Sequence, residues 1–248
     1  ALGGIALEGI HQAEVVPGET VAVIGLGLVG HILCRILDAY GCDVIAYDVV
    51  DKTMPGTRLK AFINSNDDNA ADKTKALTHG RGVDKVIITA AANTNQPMDL
   101  AAAIARDRGI ICMIGVTQMN IDRRPYYERE LSFRIARSYG AGRYDSTYEQ
   151  KGIDYPIGYV RFTEGRNIEE FVRLIAQKRA DFADLITHEI PFEKAADAYE
   201  MITKNPNHER YIGVLLKYSD NQEKWRETVE KQEEKKAAGR DKIRLGLI

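Results

Sequence analysis

Gly25, Gly27 and Gly30 stand in the order Gly-x-Gly-x-x-Gly directly after the β-branched run TVAVI and at the head of GHILCRILDAY, whose apolar residues recur at helical spacing. Where a strand turns into a helix this spacing has a definite chemistry. The first glycine permits the tight turn, the second lets the main chain approach a diphosphate, and the third lets helix and strand pack closely. The loop residues Leu26, Leu28 and Val29 complete the set, and the first-turn N–H groups face the phosphates with the positive end of the helix dipole. Asp48 closes a second apolar run, DVIAYD, 18 residues beyond Gly30, near the spacing at which an acidic side chain receives the adenosine ribose 2′-OH. A carboxylate there accepts from the diol and repels a 2′-phosphate, so NAD is the expected cofactor ahead of NADP. Lys52 and Arg58 lie near enough to modify that preference.

The elements that must position these residues follow from periodicity. TVAVI, the glycine-loop helix and DVIAYD make a β-α-β unit by residue 48. VDKVIITAA (83–91) and GIICMIGV (109–116) are continuous apolar runs, as in strands covered on both faces. Ligands of open α/β sheets bind outside the carboxyl ends of the strands. The small residues there, Ala90, Ala91, Gly115 and Val116, leave room for the nicotinamide ribose and ring. Pro97 opens a helix carrying Leu100, Ala101, Ala103 and Ile104. Weaker patterns predict helices over 57–63 and 69–78, a strand within 130–138, amphipathic helices on Ile168–Ile175 and Ala195–Ile202, and a strand over 210–218. RSYGAGRYDSTYEQKGIDYPIGYV reads as a long loop. The fold class is α/β, a Rossmann-type doubly wound, mostly parallel sheet with helices on both faces.

Composition removes several function classes. The chain has 248 residues, 34 Lys+Arg against 36 Asp+Glu and a formal charge of −2, so no basic field draws it to nucleic acid or anionic lipid. Hydrophobic residues at 44% and charged residues at 28% belong to a folded core. Cys34, Cys42 and Cys112 form neither a disulfide framework nor a zinc-ligand spacing, and none of the five histidines, His31 and His188 included, pairs at metal-ligand spacing. Zinc is therefore not supported, each histidine reads as an ordinary core or surface residue, and no catalytic acid or base is assigned. The opening ALGGIALEGIHQAEVV has no basic n-region, and no apolar run is long enough for a membrane span. The expected setting is the reducing cytoplasm and the expected partner a small molecule, with no nucleic acid and no membrane. The tyrosines between Tyr126 and Tyr159 read as interface packing.

VPGETVAVIGLGLVG (16–30), VIAYD (44–48), GRGVDKVIITAA (80–91), RDRGIICMIGV (106–116) and LITHEIPFEKAADAYEMI (185–202) together resemble the coenzyme-binding half of the medium-chain dehydrogenase/reductases, the zinc-type alcohol dehydrogenases and their relatives. The resemblance covers roughly residues 1–218 and implies NAD(P)-dependent hydride transfer with an alcohol or carbonyl compound. It also implies a homodimer paired along the edge strand near Leu131–Arg137, and an N-terminal GroES-like domain, supplier of zinc ligands and substrate pocket, that would precede this chain. RSYGAGRYD, KGIDYPIGYVRFTEGRN and the charged stretch before KIRLGLI resemble bi-domain oxidoreductases fused to a glucose-fructose oxidoreductase-like unit, which implies sugar-related chemistry. The expected organisation is a dinucleotide-binding domain with its C-terminal family segment over 1–218, a charged linker helix over 219–242, and over 243–248 the first strand of a truncated second Rossmann domain. Two rival readings stand beside this one: a non-enzymatic NAD-sensing module, and an S-adenosylmethionine-dependent methyltransferase with a similar glycine loop and acidic strand end.

Overall fold

The computed structural model describes residues 1–205 and 210–218. The chain divides into two units. One comprises Ala1–His188 with Glu209–Val214, the other Glu189–His208 with Leu215–Ile248. The expected linker over 219–242 and the expected strand over 243–248 lie outside the described residues. Among the described residues no helix is long and apolar enough to cross a membrane.

The first unit is built on six strands: β1 (Thr20–Ile24), β2 (Asp43–Asp48), β3 (Ala61–Asn64), β4 (Val83–Ile88), β5 (Ala105–Met113) and β6 (Ser132–Ile135). All neighbours pair in parallel, in the order β3-β2-β1-β4-β5-β6. Side chains alternate between the two faces of a strand, and the core divides accordingly. Val21, Val23, Val44, Ala46 and Ile87 point to one side, packed with α1 (Leu2–Gln12), α2 (Leu28–Ala39) and Leu174 of α7 (Glu164–Ala176). Ala22, Ile24, Ile45, Tyr47, Val86 and Ile88 point to the other, against α3 (Ala70–Leu77) and α4 (Gln96–Ile104). Because both faces are covered, these strands read as unbroken apolar runs. The order reverses direction between β1 and β4, and there the strand ends open a crevice.

The helix expected over 57–63 is not formed. Residues 49–60 are irregular, and Ala61–Asn64 is strand β3, registered Ile45↔Ala61 through Asp48↔Asn64. Gly56 in the preceding turn disfavours a helix there, and the open edge of β2 offers AFIN a parallel hydrogen-bond ladder along one side. Three further elements went unread in the sequence: α1, the short α5 (Arg123–Glu128) and β7 (Ile186–Pro191). The long Tyr-rich loop holds only the four-residue helix α6 (Ser146–Glu149). In the second unit, α8 (Ala195–Thr203) forms as expected, Phe192 stacks on Tyr218 at 4.4 Å, and Lys217 pairs with Glu189. β7 and β8 (Gly213–Lys217) make a two-stranded sheet.

α1 was hard to read because glycines interrupt its apolar pattern, yet those glycines are why it fits. A Cβ on Gly3 would fall 2.1 Å from the Phe171 ring, and one on Gly9 2.2 Å from Ile114 Cδ1. At the C-terminal end of α1, His11 stacks on Phe162 with ring centroids 3.6 Å apart. Burial, opposed in part by Asn167 and Glu170, lowers the His11 pKa from 6.5 to about 4. A base held neutral by the fold contributes stability above its unfolded pKa, and that stability is lost as pH falls through the folded value. Arg35 and Arg173 chiefly hold Asp184 and Glu170 below their ordinary values, and Glu8, raised by burial, acts in the opposite sense. The melting temperature should therefore fall between about pH 6.5 and pH 4, and His11→Phe, which keeps the stack and removes the titration, should flatten that part of the profile. An unchanged slope in thermal denaturation would refute the assignment to His11.

Candidate functional site

β1 and α2 meet at a turn in which no side chain separates them. Gly25 has a φ of 106°, in the region that favours glycine, and a Cβ there would lie 2.7 Å from the Ala90 nitrogen on the exit of β4. A Cβ on Gly30 would lie 2.0 Å from the Gly25 carbonyl oxygen. Gly27 differs from both. It is the N-cap of α2 in extended conformation, makes no side-chain cap, and its absent Cβ would meet nothing within 4 Å. The first turn of α2 thus starts against open space with its N–H groups uncapped, an arrangement that attracts anions.

Asp48 ends β2 with only 8% of its surface exposed. Its Oδ2 accepts the Leu26 N–H at 2.7 Å, its Oδ1 accepts the Val50 N–H at 3.3 Å, and Lys52 Nζ stands 3.1 Å from Oδ1. The carboxylate is thereby tied to the glycine turn while keeping acceptor capacity toward the crevice. Beyond β4 and β5 the chain exits pair once more: Ala91 bridges Val116, whose N–H donates to the Ala90 carbonyl at 3.1 Å. A Cβ on Gly115 would come 2.1 Å from the Ala90 oxygen, so the two exits touch through backbone. Thr89 Oγ1 donates to the Gly25 carbonyl at 2.7 Å and fastens β4 to the turn.

A cleft of about 640 Å³ lies over these strand ends. Of the residues expected there, Gly25, Gly27, Asp48, Ala90 and Ala91 line it. The structure places the others differently. The Leu26 side chain is fully buried and its N–H serves Asp48, so its contribution is to hold the carboxylate. Gly30 works by its lack of a side chain against Gly25, Leu28 and Val29 are half-buried in the first turn of α2, and Val116 is 77% exposed beside Ala91. Lys52, Ser65, Asn66, Thr89, Thr94 and Gln96 also line the cleft. Ser65 and Asn66 were missed because they follow β3, which was read as helix; the polar cluster NSND after an apolar run was the available signal.

No donor set for a metal is assembled: among the described residues no group of three or more His, Cys, Asp or Glu could hold an ion. The three cysteines are buried and unpaired. Burial pushes the Cys34 and Cys112 thiols up to about 12 and raises Cys42 as well. Thiols so disposed do not fit zinc ligation, which needs converging thiolates or imidazoles. A dinucleotide fits better: the open face at Gly27 admits a diphosphate and Asp48 can accept from a ribose diol.

Comparison with known proteins agrees with this geometry. Residues 29–154, just over half of the chain, match the family described as zinc-binding dehydrogenase. The chain is 25% identical over 207 residues to a probable D-xylulose reductase A of Emericella nidulans, covering 79% of this chain and 50% of that protein. It is 27% identical over 204 residues to the sorbitol dehydrogenase of Bacillus subtilis, covering 77% and 50%. The chain thus spans about half the length of these curated relatives. Among solved structures, a short chain alcohol dehydrogenase of Escherichia coli CFT073 complexed with NADH superimposes with a TM-score of 0.65 at 18% identity, covering 87% of this chain and 57% of that one. At that identity the likeness concerns the fold.

The glycine geometry makes separable predictions for stability and binding. Gly30→Ala should destabilise the protein by about 2 kcal/mol, because its methyl group meets backbone that cannot yield. Gly27→Ala should cost less than about 1 kcal/mol, yet weaken a dinucleotide about tenfold or more by filling the space beside the helix terminus. Denaturant titration and calorimetry measure the two effects; the reverse pattern would show that Gly27 does not face the ligand.

Proposed function

The chain belongs to the zinc-binding dehydrogenase family, and from that premise we propose that it binds a nicotinamide dinucleotide for hydride transfer to or from an alcohol or carbonyl carbon, with NAD preferred over NADP. The carrying observation is the uncapped start of α2 at Gly27, opening into a cleft whose other end holds Asp48. In this reading the turn from Gly25 to Gly30 receives the diphosphate through backbone N–H groups, and Asp48 with Lys52 receives the adenosine ribose. Ala90, Ala91, Gly115 and Val116 border the nicotinamide ribose and ring, where small side chains and backbone leave a flat surface. The nicotinamide, when bound, supplies the hydride acceptor or donor; the protein binds it, orients it and shields one of its faces.

The names of the curated relatives, a xylulose reductase and a sorbitol dehydrogenase, support a polyol or sugar-related substrate. We assign no proton-transfer group and route no step through zinc. The parallel edge strand β6, with Ile135 exposed, supports a homodimer formed by pairing of this edge across a two-fold axis; light scattering at micromolar concentration should give twice the chain mass.

Asp48 decides the cofactor test. Calorimetry should give NADH a dissociation constant several-fold below that of NADPH, since a carboxylate hydrogen-bonds the diol and repels the 2′-phosphate. Asp48→Asn retains an acceptor for the Leu26 N–H and should remove most of the gap. Equal or tighter NADPH binding by the unsubstituted protein would reject the NAD preference, and failure of both nucleotides to bind would reject the reading as a whole.

A further inference from the structure

His31 has no part in the binding motif, and its sequence position one residue past Gly30 suggests only an ordinary core or surface histidine. In the structure it is fully buried with both ring nitrogens engaged: Nε2 lies 3.0 Å from the Lys52 carbonyl oxygen and Nδ1 3.1 Å from Thr57 Oγ1. Chemistry fixes the direction of these bonds. A carbonyl can only accept, so Nε2 carries the proton and donates to Lys52. Nδ1 of the neutral ring is then the acceptor, and the Thr57 hydroxyl donates to it. Thr57 Oγ1 in turn accepts the Arg35 Nε–H at 3.1 Å. Burial, opposed by the bond to the Lys52 carbonyl and by Asp184 and aided by the Arg35 and Arg210 guanidiniums, lowers the His31 pKa, which favours the neutral ring this relay requires.

The relay is anchored at its far end. Arg35, one turn along α2, donates from Nη2 to Asp184 Oδ2 at 2.8 Å, pairs through Nη1 with Asp184 Oδ1 and also donates to the Asp181 carbonyl. Asp184 Oδ2 accepts the Gly56 N–H at 3.1 Å. The irregular segment between β2 and β3 is therefore fastened to α2 at Lys52, Gly56 and Thr57. The point held by His31 is the backbone of the residue whose ammonium stands 3.1 Å from Asp48.

We propose that His31 is a positioning residue for the adenosine end of the cleft: by donating to the Lys52 carbonyl it sets the Lys52 ammonium beside Asp48, and so sets how the site discriminates the substituent on the ribose 2′ oxygen. This inference rests on the dinucleotide reading and deepens it. Asp48 repels a 2′-phosphate and Lys52 offsets that repulsion, so displacing the ammonium leaves the carboxylate less compensated. Loss of Lys52 or of His31 then weakens NADPH more than NADH.

A double-mutant cycle tests whether His31 acts through Lys52. With NADH and NADPH titrated calorimetrically, Lys52→Met should raise the ratio of the NADPH to the NADH dissociation constant about tenfold and His31→Leu about threefold. In the Lys52→Met background His31→Leu should leave the ratio unchanged, because no ammonium remains to misplace. His31→Gln, which keeps a donor and an acceptor on the same side chain, should restore most of the original ratio. Thr57→Val, which is nearly isosteric and removes only the hydroxyl that orients the imidazole, should shift the ratio in the same direction as His31→Leu, and it serves if the leucine variant does not fold. Equal His31→Leu effects on both nucleotides would assign His31 to stability alone, and an additive cycle would show that it does not act through Lys52; either overturns the inference while leaving the dinucleotide reading intact. Failure of the unsubstituted protein to bind either nucleotide would overturn both.

Discussion

The turn between β1 and α2 has to touch two pieces of backbone at once, the exit of β4 through Gly25 and its own first helical turn through Gly30. Neither contact tolerates a Cβ, so helix and sheet approach as closely as main chains allow. The helix therefore begins at the carboxyl edge of the sheet, at the point where strand order reverses, with no side chain covering its amino end. The same turn aims the Leu26 N–H at Asp48, which couples the acidic end of the cleft to the glycine end through one hydrogen bond. Displacing the turn would open the cleft, uncover the core beneath Leu26 and release the carboxylate together.

Charge is arranged along the cleft in a way that a single residue type could not achieve. One end offers uncapped backbone donors and suits an anion. The other holds a nearly buried carboxylate with two backbone donors and one ammonium beside it, and it retains the capacity to accept hydroxyl protons. Between β2 and β3 the chain carries no regular structure, so its position over the Asp48 end of the cleft depends on side chains reaching it from elsewhere. Arg35 and His31 on α2 and Asp184 far along the chain supply that support. A loop so held keeps its place without a backbone ladder of its own, and the residues that hold it fix where Lys52 stands beside Asp48.

Some elements were legible because their signals are local. TVAVI is β-branched and the glycine spacing follows at once, so β1, the turn and α2 were readable to within a residue or two, and Asp48 stood at the end of β2 as the spacing required. Other elements owe their form to distant partners. AFIN became strand β3 because the edge of β2 was there to pair with it, and α1 became a helix because Phe171 and Ile114 fill the spaces its glycines leave. In each case the local pattern was weak and a tertiary contact decided the outcome.

The sequence by itself determined the fold class, the glycine turn, the acidic end of β2 and the absence of local metal-ligand spacing, because each is a property of residues within a few positions of one another and of the backbone conformations they permit. Only the tertiary structure decided that Leu26 serves the carboxylate, that Ser65, Asn66 and Gln96 join the cleft wall, and that His31 holds Lys52. Arg35 and Asp184 are 149 positions apart and meet as an ion pair. Hydrogen-bond partners and burial are set by which surfaces the packed sheet brings together, and spacing along the chain carries no record of that distance in space.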